Sequence, residues 1–163
     1  MHHYPWVETL PNILLVDDDE NLRKVLSDIL EHAGYSVKSF ENGKKAIEAS
    51  YKELFNIALI DIQLPDMKGI ELLTKLRKTE PEMIKIIITG HACLENAIEA
   101  TNRGVDGYVV KPFDPKKLIR LIETRLKKQK QKMKFDDQKI AEYIEARYEW
   151  MSTSPIEKKV DKD

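Results

Sequence analysis

Five short apolar runs, each followed by an amphipathic segment, constrain the fold of this 163-residue chain more than any other feature. The first run reads NILLV over residues 12–16, and residues 21–33 behind it place apolar side chains at helical spacing. Further strands are predicted at residues 35–40, 56–60, 83–88 and 106–110. Continuous apolar strands between helices indicate a parallel sheet that helices cover on both faces. We therefore expect an α/β fold.

The helices that follow the strands restrict the topology further. They are predicted at residues 21–33, 44–54, 70–78 and 94–102, with a long fifth helix from about residue 114. Right-handed crossovers leave few arrangements, and the leading one is the flavodoxin-like order 2-1-3-4-5 known from other doubly wound sheets. The expected fold is a flavodoxin-like (βα)5 doubly wound parallel sheet with a helical C-terminal extension.

Length and composition set the domain organisation and exclude several classes of protein. We expect an N-terminal extension at residues 1–11, one domain at 12–130, and a helical linker or tail, partly disordered, at 131–163. The net charge of −1 argues against a fold built to hold nucleic acid, and the apolar runs are too short to span a bilayer. The single cysteine, Cys93, suits a reducing cytoplasm. Whether His2 and His3 are a tag remnant stays open.

Polar residues follow four of the predicted strands at the point where each strand ends. Asp17 and Asp18 follow the first strand, Asp61 the third, Thr89 the fourth and Lys111 the fifth. Parallel strands bring their carboxyl ends to one edge of the sheet, where ligands bind in such folds. We therefore expect these side chains to converge. An aspartate at the end of a strand is often only a turn former or a helix cap, and that interpretation would be favoured for any of them alone.

The convergent set predicts phosphoryl-transfer chemistry. Crowded carboxylates demand a cation, and an all-oxygen site suits Mg²⁺, with Mn²⁺ as an alternative. A carboxylate can form an acyl phosphate, so Asp61 is the candidate nucleophile. Lys111 would neutralise charge on the phosphoryl group, and Thr89 would donate its hydroxyl to it. Asp19, one residue past the acidic pair, is better explained as a helix cap.

Four stretches resemble the receiver domains of two-component response regulators. They read ILLVDDDENLR (13–23), ALIDIQLPDMKGIELL (58–73), IIITGHA (86–92) and GYVVKPF (107–113), and the resemblance covers residues 12–130. It implies that Asp61 accepts a phosphoryl group from a sensor histidine kinase or a phosphotransfer protein. It also implies that Asp18 and Asp61 bind Mg²⁺ through their side chains, Asp17 does so directly or through water, and the backbone carbonyl of Gln63 completes the set.

The resemblance assigns roles to further positions. It implies that Thr89 and Lys111 contact the phosphoryl group, and that the bond between Lys111 and Pro112 is cis. Tyr108 occupies the position of an aromatic switch residue, which would turn inward as Thr89 moves. The fourth helix, fifth strand and fifth helix would then present a changed surface to a downstream output.

Two positions beside the site are candidates for tuning the lifetime of the phosphoryl group. Gln63 and His91 lie two residues past Asp61 and Thr89, and in receiver domains these positions face the attacking water. An exposed loop histidine without a role is an equally strong interpretation of His91.

The C-terminal segment leaves several alternatives open. The basic run at residues 127–134 is a solvated helix face or linker, or else a contact for nucleic acid or an anionic partner, although no nucleic-acid-reading module is evident. The aromatic-bearing segment at 135–151 is a dimerising linker toward an absent output domain, or a helix that packs back on the receiver. Asp136 could cap a new helix there, or the fifth helix continues. A homodimer could form through this segment or through the switch surface.

Three rival functions are weaker. A pseudo-receiver interaction module would not need the intact acidic set with Lys111. A metal-dependent phosphohydrolase needs a second aspartate close after the nucleophile, where this chain has Gln63. A flavin-binding module needs a phosphate-cradling loop after the first strand, where this chain has three aspartates. We therefore expect a phosphoacceptor signalling domain and not an enzyme with an external substrate.

Overall fold

The computed structural model describes residues 10–79 and 82–153 of the chain, and over this part strands and helices alternate. The strands are β1 (Asn12–Val16), β2 (Ser36–Phe40), β3 (Ile57–Ile60), β4 (Ile84–Thr89) and β5 (Gly107–Val110). The helices are α1 (Glu20–His32), α2 (Gly43–Lys52), α3 (Gly69–Thr79), α4 (Leu94–Asn102) and α5 (Pro115–Thr153). Each lies within a few residues of its predicted position.

The strands form one parallel sheet in the order β2-β1-β3-β4-β5, which confirms the predicted fold. The register aligns the strand ends, since Val16 pairs with Ile60 and Thr89 with Val110. The ladder continues one residue beyond β3, where the Asp61 N–H donates to the Val16 carbonyl at 2.9 Å. The residues that follow β1, β3, β4 and β5 therefore meet at one edge.

Apolar side chains fill both faces of the sheet. One buried cluster joins the sheet to α2, α3 and α4, and the other joins it to α1 and α5. Along β4 the side chains alternate between them, with Ile87 in the first cluster and Ile86 and Ile88 in the second. Each fully buried aliphatic side chain contributes about 1.5–3 kcal/mol through removal from water, so this double-sided core holds the strand ends rigidly.

Side-chain caps fix where two helices begin. The Asp19 carboxylate accepts from the Leu22 N–H at 3.1 Å, which confirms its predicted role as the cap of α1. The Asn42 side chain accepts from the Lys45 N–H at 2.9 Å. The sequence Asn42-Gly43, which favours a turn, is therefore the beginning of α2.

The fifth helix continues without a break into the C-terminal segment. No new helix begins at Asp136, so the alternative of a continued α5 is correct. One compact unit of the chain ends at Leu126 and a second begins at Lys127. The domain bounds of 12–130 and 131–163 stay a prediction. His2 and His3, most of the N-terminal extension and residues 154–163 of the tail that is expected to be partly disordered lie outside the described residues. Within the described part, no helix is long and apolar enough to cross a membrane.

Candidate functional site

Three carboxylates meet at the edge where the strands end. Asp17 follows β1 and Asp61 follows its neighbour β3, while Asp18 lies one residue further along the first loop. One oxygen from each lies within 4.8 Å of the others. Asp17 and Asp61 are only 3% and 7% exposed, whereas Asp18 is exposed. The predicted convergence of the acidic residues is therefore present.

The donor set fits a small, hard divalent cation. Oxygens bound to one Mg²⁺ at about 2.0–2.1 Å lie roughly 3–4 Å apart, which is compatible with carboxylate oxygens that all lie within 4.8 Å of one another. Asp18 faces solvent, so the cluster has an open side through which a hydrated ion can enter.

Lys111 supplies positive charge to the same cluster. Its ammonium group lies 2.7 Å from an Asp17 oxygen and 2.8 Å from Asp61 Oδ2, so one cation bridges two buried carboxylates. The Lys111 side chain is 24% exposed, which limits the screening of both pairs by water. The peptide bond between Lys111 and Pro112 is cis. This bridge spans the ends of three strands, β1, β3 and β5.

Burial and charge shift the pKa values of this pair. Burial raises the pKa of the Asp17 carboxyl above its ordinary 3.8, although the hydrogen bonds from Lys111 and from the Asp19 N–H oppose that rise. Burial alone would lower the pKa of Lys111. Its hydrogen bonds to Asp17 and Asp61 outweigh that effect and raise the pKa above 10.5. Lys111 therefore stays charged across the physiological range.

Backbone N–H groups hold two further residues of the predicted site. The Gln63 N–H donates to Asp61 Oδ1 at 3.1 Å, so both oxygens of Asp61 have a donor. Thr89 is completely buried, and its hydroxyl oxygen accepts from the His91 N–H at 3.0 Å. The side chains of Gln63 and His91 are exposed at this edge.

Tyr108 and Thr89 lie on the same face of the sheet. Tyr108 pairs with Ile87, two residues before Thr89 on the neighbouring strand, so the two side chains are diagonal neighbours. Tyr108 packs against the core cluster of that face. Its buried hydroxyl has no hydrogen-bond partner within the described residues. Burial is the main cause that raises the pKa of the Tyr108 phenol, and the charge of the nearby Cys93 raises it further.

The structure adds residues that the sequence analysis did not assign. A Cβ atom on Gly69 would lie 2.1 Å from the Asp61 carbonyl oxygen, so only glycine allows α3 to begin against this backbone. Asp66 accepts from the N–H groups of Gly43 and Lys44, both at 2.9 Å, and so ties the loop after β3 to α2. Arg23 donates to the Asp17 carbonyl at 2.7 Å. The sequence carries no signal for these contacts, because each joins segments that only the fold brings together.

Known proteins resemble this chain along most of its length. A family model described as the response regulator receiver domain matches residues 13–123. The receiver domain protein (CheY-like) of Methanospirillum hungatei JF-1 is 41% identical, with a TM-score of 0.74 over 76% of this chain and 99% of that one. The BeF3-activated DrrB receiver domain is 31% identical, with a TM-score of 0.67 over 73% of this chain and 99% of that one.

Two curated relatives are transcriptional regulators that are longer than this chain. The C4-dicarboxylate transport transcriptional regulatory protein DctD of Rhizobium meliloti is 30% identical over 83% of this chain and 29% of that protein. The DNA-binding transcriptional regulator NtrC of Escherichia coli is 36% identical over 68% of this chain and 24% of that protein. The match spans about a quarter to a third of the length of these two relatives.

Proposed function

Because this chain belongs to the response regulator receiver domain family, whose model covers residues 13–123, we propose that Asp61 accepts its phosphoryl group. The chain is a phosphorylation-dependent signalling domain of the two-component type. The observation that carries the assignment to Asp61 is the Lys111 ammonium group, which bridges Asp61 and Asp17 at 2.8 and 2.7 Å. Family membership does not favour a pseudo-receiver or a phosphohydrolase.

The transfer step requires only an ionised carboxylate and a phosphorylated donor. An Asp61 oxygen attacks phosphorus, the bond between phosphorus and the donor breaks, and the electron pair leaves with the donor. For a phosphohistidine donor that bond is P–N, and the imidazole leaves with a proton taken from water. The Lys111 ammonium group lies 2.8 Å from Asp61 Oδ2 and can contact the phosphoryl oxygens after transfer. The Gln63 N–H orients the carboxylate through its 3.1 Å hydrogen bond.

A divalent metal fits the same proposal. Asp17, Asp18 and Asp61, with the backbone carbonyl of Gln63, would hold Mg²⁺, and Mn²⁺ has the same ligand preferences. When bound, the ion supplies positive charge next to the transferring phosphoryl group. The ion pair between the half-buried Lys111 and the buried Asp17 lies beside Asp61, because the same ammonium group contacts both carboxylates.

Phosphorylation switches the surface through Thr89 and Tyr108. The added group brings about −1.5 to −2 charge next to β4. Thr89 accepts from the His91 N–H, so its own hydroxyl hydrogen is available to a phosphoryl oxygen. Movement of Thr89 changes the space beside its diagonal neighbour Tyr108, whose hydroxyl lacks a partner in the described structure. The α4-β5-α5 surface, where Leu94 and Ile98 are exposed, would transmit the change to an output domain or a second copy.

The partners of this site follow from the same chemistry. A sensor histidine kinase or a phosphotransfer protein would supply the phosphoryl group. A cytoplasmic location belongs to the proposal, and the single cysteine of the sequence agrees with a reducing compartment.

Intact-mass measurement after incubation with a small phosphodonor and Mg²⁺ tests the proposal. We expect one added phosphoryl group on the native chain and none on Asp61→Asn. Asp28→Asn, which removes an exposed carboxylate from α1, should accept the group normally. Native chain without an adduct, or an adduct that survives in Asp61→Asn, would overturn the assignment. The decay of the adduct in His91→Ala then tests the tuning role, because an unchanged decay rate excludes it.

A further inference from the structure

The C-terminal part of α5 carries a row of exposed side chains with coiled-coil spacing. Its members, which we call the seam, follow one another at intervals of four, three, four and three residues: Met133, Asp137, Ile140, Ile144 and Arg147. Ile140 and Ile144 at its middle are 58% and 61% exposed. Two adjacent isoleucines on one face of a charged helix predict a partner surface.

The charges of the seam disfavour a parallel pair of such helices. In a parallel coiled coil each seam residue meets the same residue of the other chain. Asp137 would then face Asp137, and Arg147 would face Arg147, in the layers on either side of the isoleucines. Like charges juxtaposed within an interface cost several kcal/mol. The five lysines of residues 127–134 would also lie beside the five lysines of the second chain.

An antiparallel pair removes these conflicts because the last four members of the seam are symmetric about Glu142. Asp137 and Arg147 each lie five residues from Glu142, and Ile140 and Ile144 each lie two residues from it. Reversing one helix about this point places Asp137 of one chain against Arg147 of the other. The same reversal places Ile140 against Ile144. The isoleucine layers then have one layer of opposite charges on each side. The two basic runs lie at opposite ends of the pair.

We propose that two copies of this chain associate through residues 136–148 of α5, with the two helices antiparallel and centred on Glu142. The occupant of the exposed seam is therefore a second copy of the same segment. Two side chains next to the seam support this geometry, because Tyr143 and Tyr148 lie on its two sides and are 63% and 71% exposed. They would cover the paired isoleucines from water. The inference does not depend on phosphorylation of Asp61.

A charge-reversal cycle on the full-length chain tests both the occupant and the orientation. Asp137→Arg and Arg147→Asp each place like charges in two layers, so each should weaken dimerisation by at least about tenfold in sedimentation equilibrium. The double variant restores opposite charges and should recover native affinity. Glu142→Arg changes a charge on the far side of the helix and is the matched control. Circular dichroism verifies that every variant keeps its helix.

Three outcomes of the cycle would overturn the proposal. A native chain that remains monomeric would exclude a second copy as the occupant, including the case in which the seam binds a different protein or a lipid surface. Single variants without effect would indicate a parallel pair, since Asp137→Arg only exchanges one like-charged layer for another. A double variant no better than the single ones would show that the two positions do not meet.

Distances between spin labels test the orientation independently. In a Cys93→Ser background, labels at Glu142→Cys and Gln131→Cys both point away from the seam. In an antiparallel pair the Gln131 labels are displaced along the axis by about 33 Å relative to each other, at 1.5 Å per residue, whereas the Glu142 labels are level. The Gln131 distance should therefore be much the longer. Equal distances at both positions would contradict the proposal.

Discussion

Replacement of Gly69 with alanine is expected to destabilise the domain through a clash with the backbone of the proposed phosphoacceptor. The added Cβ would lie 2.1 Å from the Asp61 carbonyl oxygen and 2.9 Å from two further backbone atoms, one of Asp61 and one of Ile62. Backbone atoms cannot swing aside like a flexible side chain, so α3 or the end of β3 must shift by about 1 Å. Overpacking costs about 1–3 kcal/mol, and a clash with backbone atoms belongs at the upper end of that range.

The helix propensity of alanine offsets part of this cost. Alanine is better than glycine by up to about 1 kcal/mol, so the net loss should be about 2 kcal/mol. That corresponds to a fall in melting temperature of roughly 4–8 °C for a chain of this size. Urea denaturation of Gly69→Ala measures the loss directly. Gly90→Ala is the matched control on the same edge, because its Cβ would meet nothing closer than 4.0 Å. Equal stability of the two variants would refute the steric argument.

Three further predictions concern the acidic cluster and the switch. Asp19→Ala should lower the free energy of unfolding by about 1 kcal/mol, because α1 loses its cap. Asp18→Ala should keep its stability and lose Mg²⁺ affinity in calorimetry. Lost stability in Asp18→Ala together with lost Mg²⁺ affinity in Asp19→Ala would exchange the two roles. Tyr108→Phe removes a buried hydroxyl without a described partner, so unfolding in urea should show equal or greater stability, and a marked loss would reveal a missed hydrogen bond. Lys111→Met should lose stability at neutral pH. Because folding raises the pKa of Asp17, ionisation of this carboxyl lowers the free energy of unfolding as pH rises above 3.8. The decrease should be larger in Lys111→Met, which lacks the opposing ammonium group. The pKa of Lys111 is also raised in the fold, so its contribution to the free energy of unfolding should disappear as pH rises beyond 10.5. A difference in unfolding free energy between the native chain and Lys111→Met that stays constant with pH would contradict the ion pair.

The sequence predicted the sheet and the edge that carries the site, because both follow from local patterns. Uninterrupted apolar strands between amphipathic helices permit few parallel arrangements. Once the strands are parallel, Asp17, Asp61 and Lys111 must follow strand ends at one edge. The observed ion pairs among these three residues agree with that reasoning.

Contacts that depend on close backbone approach could not be predicted in the same way. Nothing in the loop sequence indicates that Gly69 lies against Asp61, since that requires the relative position of β3 and α3 at atomic detail. Asn42 is ambiguous for a local reason, because Asn-Gly suits a turn and asparagine also caps helices. The continuation of α5 past Asp136 was equally ambiguous, since an aspartate can cap a helix or lie on its exposed side.

Reductive trapping of the phosphorylated chain tests the central claim most directly. Borohydride reduces an aspartyl phosphate to homoserine, which tandem mass spectrometry can locate within the sequence. After treatment with phosphodonor and Mg²⁺, we predict reduction at position 61, with Asp17 and Asp18 unchanged. Conversion at either of those residues in place of position 61, or a phosphorylated chain that resists reduction, would contradict the assignment of Asp61 as the phosphoacceptor.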